Sequence, residues 1–433
     1  MKTLDSWKFL LDATPRTMIF PRMELMSGHD HEQPVLVGRG EVEIRTANSF
    51  EYRLSGIPQD ALFAFEKLTA SQKNPYDTFQ QFRLVGTDER GIEWACGWTR
   101  PRIGEWTDHN WTLTGAIQGL STDVRGPNVS PVSSVELAFL APMHEPVGGT
   151  LIGVVQGTLP ASREYELEIL GTRVDFSYDV PNGVLWACAP TSKGLSHPFA
   201  ENWIGEPFRV IFGQLIYPRL IARNFGDGRS AVSLRRSPSY LRGAEFAALW
   251  RADCVEHSKA RFWELYSKLL IIIAEAQPSQ PRDLESHTVT RLYEEIALAA
   301  RGSRWVWTLT LASAIEGLTN IISPPRKPRD DADHDAIAAL AAHIEKWVGD
   351  SDLRARAISE VRRAGLTSAM HALRALRKQG VLTDAQVSAW SEIRNSVMHG
   401  NLVTPWSTED EDKRILDLAN LFHRLTCAIL GND

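Results

Sequence analysis

The sequence has few cysteines, no excess of positive charge and no long apolar run. Its 433 residues include four cysteines, scattered without CxxC spacing: Cys96, Cys188, Cys254 and Cys427. This pattern predicts buried thiols in a reducing cytoplasm rather than a disulfide framework. The formal net charge of −6 excludes a global basic field, so any contact with nucleic acid must come from a local patch.

Membrane and secretory signals are also missing. Apolar runs such as residues 269–274 are too short to cross a bilayer. The first residues, Met-Lys-Thr-Leu-Asp-Ser-Trp-Lys, lack the apolar core of a signal peptide. With 43% hydrophobic and 23% charged residues, the composition is that of a globular protein, and the length predicts two domains. We therefore expect a cytoplasmic protein that does not associate with membranes.

Residues 1–236 are predicted to form strands and turns. Apolar residues alternate with polar ones at 35–44 and 50–54, and Gly, Pro and Asn separate the segments. Further strands are predicted at 79–86, 91–98, 111–117, 135–140, 151–157, 165–170 and 184–188, followed by a helix at 202–215 and a hairpin at 220–234. This half should be a sandwich-like or barrel-like β domain that senses, scaffolds or binds a partner.

Two features of this half suggest ligands. The stretch His29-Asp-His31-Glu offers metal-binding side chains, but without a second cluster a solvated loop is favoured. We therefore predict no metal and no cofactor. Four tryptophans lie within eighteen residues: Trp94, Trp98, Trp106 and Trp111. They could form a stacking platform for bases or sugars, although a hairpin packing its rings into the core explains them with fewer assumptions.

The pattern changes to helical spacing near Ser237-Pro238. Helices are predicted over 239–277, 283–301, 303–322, 335–348, 353–364, 368–378, 383–400 and 407–430, with a proline-rich loop at 323–331. Residues 237–433 should therefore form an all-α bundle. The predicted fold class is an α+β multidomain protein, with a β-rich half followed by helices.

The stretch 383–400 is the best functional clue. Thr383 and Gln386 have capping-box spacing, and Gly400 is a typical helix stop. The expected buried stripe comes at steps of three and four: Val387, Trp390, Ile393 and Val397. The polar residues Arg394, Asn395 and His399 then crowd into the last turn and a half of the predicted helix.

This polar cluster suits cleavage of an RNA phosphodiester. A histidine at a helix C-terminus, where the dipole favours the cation, can act as general base or acid. Arg394 can hold phosphate oxygens, and Asn395 shares a helix face with His399 and can orient its ring or the substrate. Arg394 lies roughly 140° around the helix from His399, so it reaches around or pairs with the histidine of a second copy. The alternative is a surface arginine and a dipole-stabilised histidine.

The run Arg394-Asn-Ser-Val-Met-His399 resembles the R-x(4–6)-H signature of HEPN domains, including the Asn that often follows the Arg. A long β-rich region before such a bundle is similar to the ApeA-like HEPN proteins of bacterial anti-phage defence. The resemblance implies a metal-independent endoribonuclease that acts in abortive infection as a homodimer or higher oligomer through its helical domain. It also implies RNA as substrate, with tRNA as one candidate, and a phage-derived trigger.

Two further features bear on this hypothesis. The run Ala314-Ile-Glu-Gly-Leu318 resembles a Leu-Glu-x-Leu pattern of ApeA-like domains, which would let Glu316 orient Arg394 or His399. An ordinary edge glutamate explains it equally well. Residues 351–380 hold seven basic and two acidic residues, a local charge of +5. Five of these basic residues are candidates for RNA binding: Arg362, Arg363, Arg374, Arg377 and Lys378. A solvated helix face is the alternative.

Two other functions remain open at this stage. One is a HEPN-like bundle without nuclease activity, which dimerises or regulates another enzyme. The other is a binding protein whose N-terminal aromatic residues recognise a ligand, with the helices as a scaffold.

Overall fold

A computed structural model describes residues 3–11, 15–27, 34–74, 77, 80–107, 110–140, 147–155, 164–276, 286–324, 328, 332–398 and 406–431. In these residues a large antiparallel sheet occupies the N-terminal half and a run of helices the C-terminal half. The predicted α+β class, with a β-rich half followed by helices, is confirmed. Helices that are long and apolar enough to cross a membrane do not occur in the described ranges.

The strands are β1 Arg16–Ser27, β2 Pro34–Thr46, β3 Ser49–Ile57, β4 Phe82–Thr87, β5 Glu93–Thr99, β6 Arg102–Thr107, β7 Asn110–Ala116, β8 Gly119–Arg125, β9 Ser133–Leu140, β10 Glu164–Ile169, β11 Thr172–Asp179, β12 Val184–Pro190, β13 Pro218–Phe225 and β14 Arg229–Arg235. They form one sheet in the order β10-β11-β12-β9-β13-β14-β8-β5-β4-β1-β2-β3-β7-β6. Most neighbours are consecutive hairpins, as the short turn-separated strands predict.

The sheet curls back on itself. Arg219 on β13 donates from Nη1 to the carbonyl oxygen of Ala47 at 2.7 Å, and its guanidinium lies 4.7 Å from the ring centre of Phe50 on β3. Strands β13 and β3 are seven positions apart in the sheet order, roughly 33 Å in a flat sheet. Direct contact therefore requires barrel-like curvature, which encloses a core of Leu, Val, Phe and Trp side chains.

A buried carboxylate ties the start of the described chain to this sheet. Glu136 on β9 is 3% exposed and accepts from the backbone N–H groups of Thr3 and Leu4, each at 2.9 Å. It also accepts from the amide nitrogen of Asn224 on β13 at 2.9 Å. These donors satisfy the charge inside the protein, and they hold the 3₁₀ helix Thr3–Leu11 against the sheet.

One predicted strand is wrong. Residues 151–157 were expected to extend a sheet, but the described part belongs to helix α2, Val147–Val155. Its β-branched residues favour a strand locally, and its glycines are unfavourable inside a helix. In the fold, Val147, Leu151, Val154 and Val155 are buried. Their spacing of four, three and one is that of a helix packed by one face, here against β11.

The helices are α1 Ala61–Lys73, α2 Val147–Val155, α3 Ala200–Trp203, α4 Glu206–Phe212, α5 Lys259–Glu275, α6 Thr288–Ala299, α7 Arg304–Ile322, α8 His334–Glu345, α9 Ser351–Ala364, α10 Ala369–Lys378, α11 Asp384–Met398 and α12 Glu409–Ile429. Contacts divide the chain into two compact units. The first, the β-rich unit, comprises Met1–Phe208, Leu215–Tyr240 and Leu269–Ser286. The second, the helical unit, comprises Arg209–Gln214, Leu241–Lys268 and His287–Asp433.

The predicted helix over 239–277 is wrong in its first half. Two short 3₁₀ turns, Ala244–Ala247 and Leu249–Arg251, precede α5, and Phe246 in the first of them is 62% exposed. Gln214 accounts for the start of this stretch. Its amide accepts from the N–H of Leu241 at 2.9 Å and donates to the Leu241 carbonyl at 3.1 Å. A side chain thus supplies the hydrogen bonds that a helix would have made.

Candidate functional site

Helix α11 begins and packs as its sequence predicts. The side chain of Gln386 accepts from the N–H of Thr383 at 2.9 Å, and the Thr383 hydroxyl accepts from the N–H of Gln386 at 3.3 Å. This reciprocal pair confirms the capping box. Val387, Trp390 and Ile393 are buried, which confirms three members of the predicted stripe. The Val397 side chain lies outside the described residues.

Helix α7 supplies the opposite side of the candidate site. Ala312, Ile315 and Leu318 are buried, and Glu316 is half-buried at their border. Gly317 lets α6 approach closely, because a Cβ there would lie 3.1 Å from Leu292. Helix α7 packs against α6, α11 and α12, so Glu316 sits on a helix that its neighbours hold on several sides.

Arg394 and Glu316 meet across these two helices. Arg394 Nε donates to Glu316 Oε2 at 3.1 Å, and the two side chains are 37% and 41% exposed. Glu316 is therefore in contact with Arg394, and its orienting role stays a prediction. An ion pair with this exposure contributes at most about 1 kcal/mol to stability, so its geometric effect matters more than its energy.

Trp390 positions Arg394 through a contact that was not predicted from the sequence. Its indole Nε1 donates to the carbonyl of Ala312 at 3.1 Å and so ties α11 to α7. One turn later, the Arg394 guanidinium lies 5.5 Å from the Trp390 ring centre. Sequence spacing could have revealed this contact, because residues four apart share a helix face. Arg394 is therefore held by an acid on one helix and a ring on its own.

Of the remaining members of the predicted motif, the structure describes Asn395. Asn395 is exposed on α11, next to Arg394. His399 and Gly400 lie outside the described residues. The structure thus brings Arg394 and Glu316 together and places Asn395 beside them on the surface. The guanidinium has several N–H donors, of which the pair with Glu316 engages Nε, and its exposure makes the group accessible to an anion.

The five predicted RNA-binding residues are all exposed, and they fall into two groups: Arg362 and Arg363 on α9, and Arg374, Arg377 and Lys378 on α10. Helix α10 packs against α7 and α11, the helices that carry Glu316 and Arg394. Helix α9 makes its main described contacts with α8 and buries none of its own residues. The α10 group therefore belongs to the same packed assembly as Arg394, whereas the α9 group lies on a projecting helical hairpin.

Carboxylates already neutralise part of this charge. Arg363 pairs with Glu360 at 2.9 Å, and Arg377 pairs with Asp384 at 2.5 Å. Both pairs are largely exposed, so a phosphate backbone can compete for these arginines. In the helical unit, a cavity of about 280 Å³ lies between α8 and the end of α9 and has Arg362 in its lining. It is lined by neither Arg394 nor Glu316.

Candidate ligand sites in the β-rich unit have a mixed outcome. Trp94 and Trp111 are buried, as the core interpretation predicts, but Trp98 and Trp106 are about half exposed. Trp106 packs between Phe65 and Trp111, with both ring-centre distances at 5.3 Å. Residues 29–32, the other candidate, lie outside the described residues. Over the ranges that are described, His, Cys, Asp and Glu side chains form no cluster of three or more suited to a metal ion.

Comparisons of the chain with protein families, with curated proteins and with solved structures found no match.

Proposed function

We propose that this protein is a metal-independent endoribonuclease of the HEPN type, which cleaves RNA from its helical unit and acts in anti-phage defence by abortive infection. The contact between Arg394 and Glu316 at 3.1 Å carries the proposal. A residue pair 78 positions apart in sequence, chosen for its resemblance to an active-site pattern, is in direct contact. The stacked Trp390 ring further restricts the arginine, and restricting a catalytic cation in advance is what transition-state stabilisation requires.

The proposed reaction is attack of an RNA 2′-hydroxyl on the adjacent phosphorus. His399 takes the proton of the 2′-hydroxyl, or a histidine gives one to the departing 5′-oxygen. Arg394 stabilises the charge on the phosphorane-like transition state, and Asn395 positions the phosphate or the imidazole. Glu316 acts on Arg394 as a positioning residue. The new P–O bond closes a 2′,3′-cyclic phosphate, and the broken bond leaves a 5′-hydroxyl.

RNA is proposed to lie along α10, since its exposed Arg374, Arg377 and Lys378 flank the helices of the site. Arg362 and Arg363 on α9 would extend this contact. Because Arg394 and His399 are five positions apart in the sequence, which is roughly 140° on an ideal helix, a homodimer that pairs the two groups between copies is part of the proposal. The proposed setting is the cytoplasm, with tRNA as one candidate target and a phage-derived trigger.

A direct test is to incubate the purified protein with total tRNA in EDTA. Wild type should cleave, Arg394→Ala and His399→Ala should not, and Glu316→Gln should lower kcat more than it raises KM. Arg242→Ala is the matched control, because Arg242 is an exposed arginine of the same unit and lies outside the site. Mapping the ends should find a cyclic phosphate and a 5′-hydroxyl. Equal cleavage by wild type and both alanine variants contradicts the proposal.

One observation favours a second candidate, a non-catalytic HEPN-like bundle that dimerises or regulates another enzyme. The Arg394 guanidinium already has an acidic partner and an aromatic neighbour within its own chain, which suits a structural residue. In that case Arg394→Ala should lower the melting temperature, and neither wild type nor variant should cleave RNA under any triggering condition. Co-purification of a second protein that His399→Ala leaves unchanged would support this candidate.

A further inference from the structure

Two cysteines that are far apart in the sequence meet inside the helical unit. Cys254 lies between the short turn Leu249–Arg251 and α5, and Cys427 lies in the last turns of α12. Their Sγ atoms are 3.4 Å apart, in hydrogen-bond contact, although 173 positions separate them. A disulfide needs about 2.05 Å between sulfurs, so a small movement brings these atoms to bonding distance.

Neighbouring contacts hold the two sulfurs in register. On α12, Asn420 donates to the Asp253 carboxylate at 3.2 Å, and His423 donates from Nε2 to the Phe246 carbonyl at 2.9 Å. Asn420, His423 and Cys427 follow one another at steps of three and four, so they share one face of the helix. The segment 246–254 is thus fastened along this face at three points. The sulfur contact is one of these points.

The environment of the pair distinguishes the two thiols. Cys254 is half-buried, whereas Cys427 is only 2% exposed. The pKa of the Cys254 thiol is lowered, mainly because Cys427 donates a hydrogen bond to its thiolate and secondarily because Arg424 lies nearby; burial and the neighbouring Asp253 oppose this effect. The same hydrogen bond, together with burial, raises the pKa of Cys427. Cys254 is therefore the accessible nucleophile, and Cys427 is the resolving thiol behind it.

We propose that Cys254 and Cys427 are a redox-active pair that a small hydroperoxide converts to an intramolecular disulfide. The Cys254 thiolate attacks one peroxide oxygen, which forms an S–O bond, breaks the O–O bond and releases hydroxide. The Cys427 thiol then loses its proton, and its sulfur attacks Cys254 Sγ, which breaks the S–O bond. With hydrogen peroxide as oxidant, two thiols and one peroxide yield one disulfide and two waters.

Oxidation of the pair should lock α12 to the segment before α5. The cross-link would close a loop of 173 positions, and closing a loop of that length strongly restricts the unfolded chain. Helix α12 packs against both α7 and α11, the helices that carry Glu316 and Arg394. A disulfide that fixes α12 therefore also restrains these two helices. This inference does not depend on the ribonuclease proposal, because it concerns the thiols alone.

The test uses the full-length reduced protein and dilute hydrogen peroxide. Intact mass should fall by two hydrogens, two of the four thiols should become unreactive to alkylation, and digestion should yield a peptide that links Cys254 to Cys427. The melting temperature should rise by roughly 5–10 °C and return with dithiothreitol. The double variant Cys96→Ser/Cys188→Ser should behave identically, since it keeps only the pair.

Single variants separate the two roles. Cys427→Ser should leave a sulfenic acid on Cys254 that a 1,3-dione traps, whereas Cys254→Ser should leave the buried Cys427 unmodified. Cys96 provides an internal reference, because burial raises the pKa of its thiol to about 12 and it should stay reduced. The proposal is overturned if all four thiols of the peroxide-treated protein remain alkylatable. It is equally overturned if the linked peptides join Cys254 to another cysteine or to a second chain.

Discussion

Acidification should destabilise the helical unit through one buried histidine. His423 on α12 donates from Nε2 to the carbonyl of Phe246, because a carbonyl can only accept. Its Nδ1 lies 3.1 Å from the hydroxyl oxygen of Tyr293, and that hydroxyl donates to Thr426 Oγ1 at 3.0 Å. The His423 pKa is lowered to about 4, mainly by burial, although the Phe246 carbonyl and Asp253 oppose the shift. The ring is therefore neutral in the folded protein at neutral pH.

The sign and the size of the effect follow from proton linkage. The unfolded chain binds a proton at His423 below its ordinary pKa of 6.5, whereas the folded protein does so only near 4. Lowering the pH from 6.5 towards 4 therefore favours the unfolded state. The free energy of unfolding keeps its full value only above pH 6.5 and falls as the pH drops below it. The loss is about 1 kcal/mol at pH 5.5 and about 2–3 kcal/mol at pH 4.5.

Urea denaturation followed by far-ultraviolet circular dichroism measures this loss. The variant His423→Gln keeps an amide for the same neighbours but cannot titrate, so the difference between wild type and variant should shrink by these amounts as the pH falls. Taking the difference cancels the carboxylates and the other histidines. Parallel pH curves for wild type and His423→Gln would refute the reasoning.

Three further predictions concern the other contacts. Glu136→Ala should lower the free energy of unfolding of the β-rich unit by about 3 kcal/mol, because three buried donors lose the carboxylate that accepts from them. An unchanged urea midpoint contradicts this. Trp390→Phe should cost about 1 kcal/mol in thermal unfolding by losing one hydrogen bond, and Trp390→Leu should cost more by also losing the ring beneath Arg394. Equal costs argue against the ring contact. Arg374→Ala/Arg377→Ala should reduce the slope of log K against log salt for RNA by roughly 1–2 in filter binding, and an unchanged slope excludes α10 from the RNA-binding face.

The elements that the sequence predicted well are those whose cause is local. Helix α11 follows from a capping box and a buried stripe within one short stretch, and both are observed. The β-hairpins likewise follow from alternation and turn residues. Helix α2 was missed because its composition favours a strand, and only its packing against β11 decides for a helix. The turns before α5 depend on Gln214, which is 27 positions from Leu241 in sequence.

The candidate site also contains residues that local spacing could place and contacts that it could not. Arg394 and Asn395 could be placed on a helix from spacing alone, but the partner of Arg394 is 78 positions away. Glu316 was found by resemblance to a pattern rather than by any rule of spacing. The contact between Cys254 and Cys427 was not predicted at all, since nothing in a scattered set of four thiols indicates which of them meet. Contacts between residues that are far apart in the sequence depend on tertiary packing, and a single sequence does not show that packing.

The curled sheet also constrains how the chain can fold during synthesis. Most strand pairings are hairpins that can form as soon as both strands have emerged, but the contact that joins Arg219 to Ala47 spans 172 positions. At 5–20 residues per second, the ribosome needs roughly 9–34 s to make that length of chain. During this interval the segment that contains Arg219 has not been made, so it cannot cover the early strands β1 to β7. Their edges are then exposed to other chains, so this protein should be most vulnerable to aggregation before residue 219 has been synthesised.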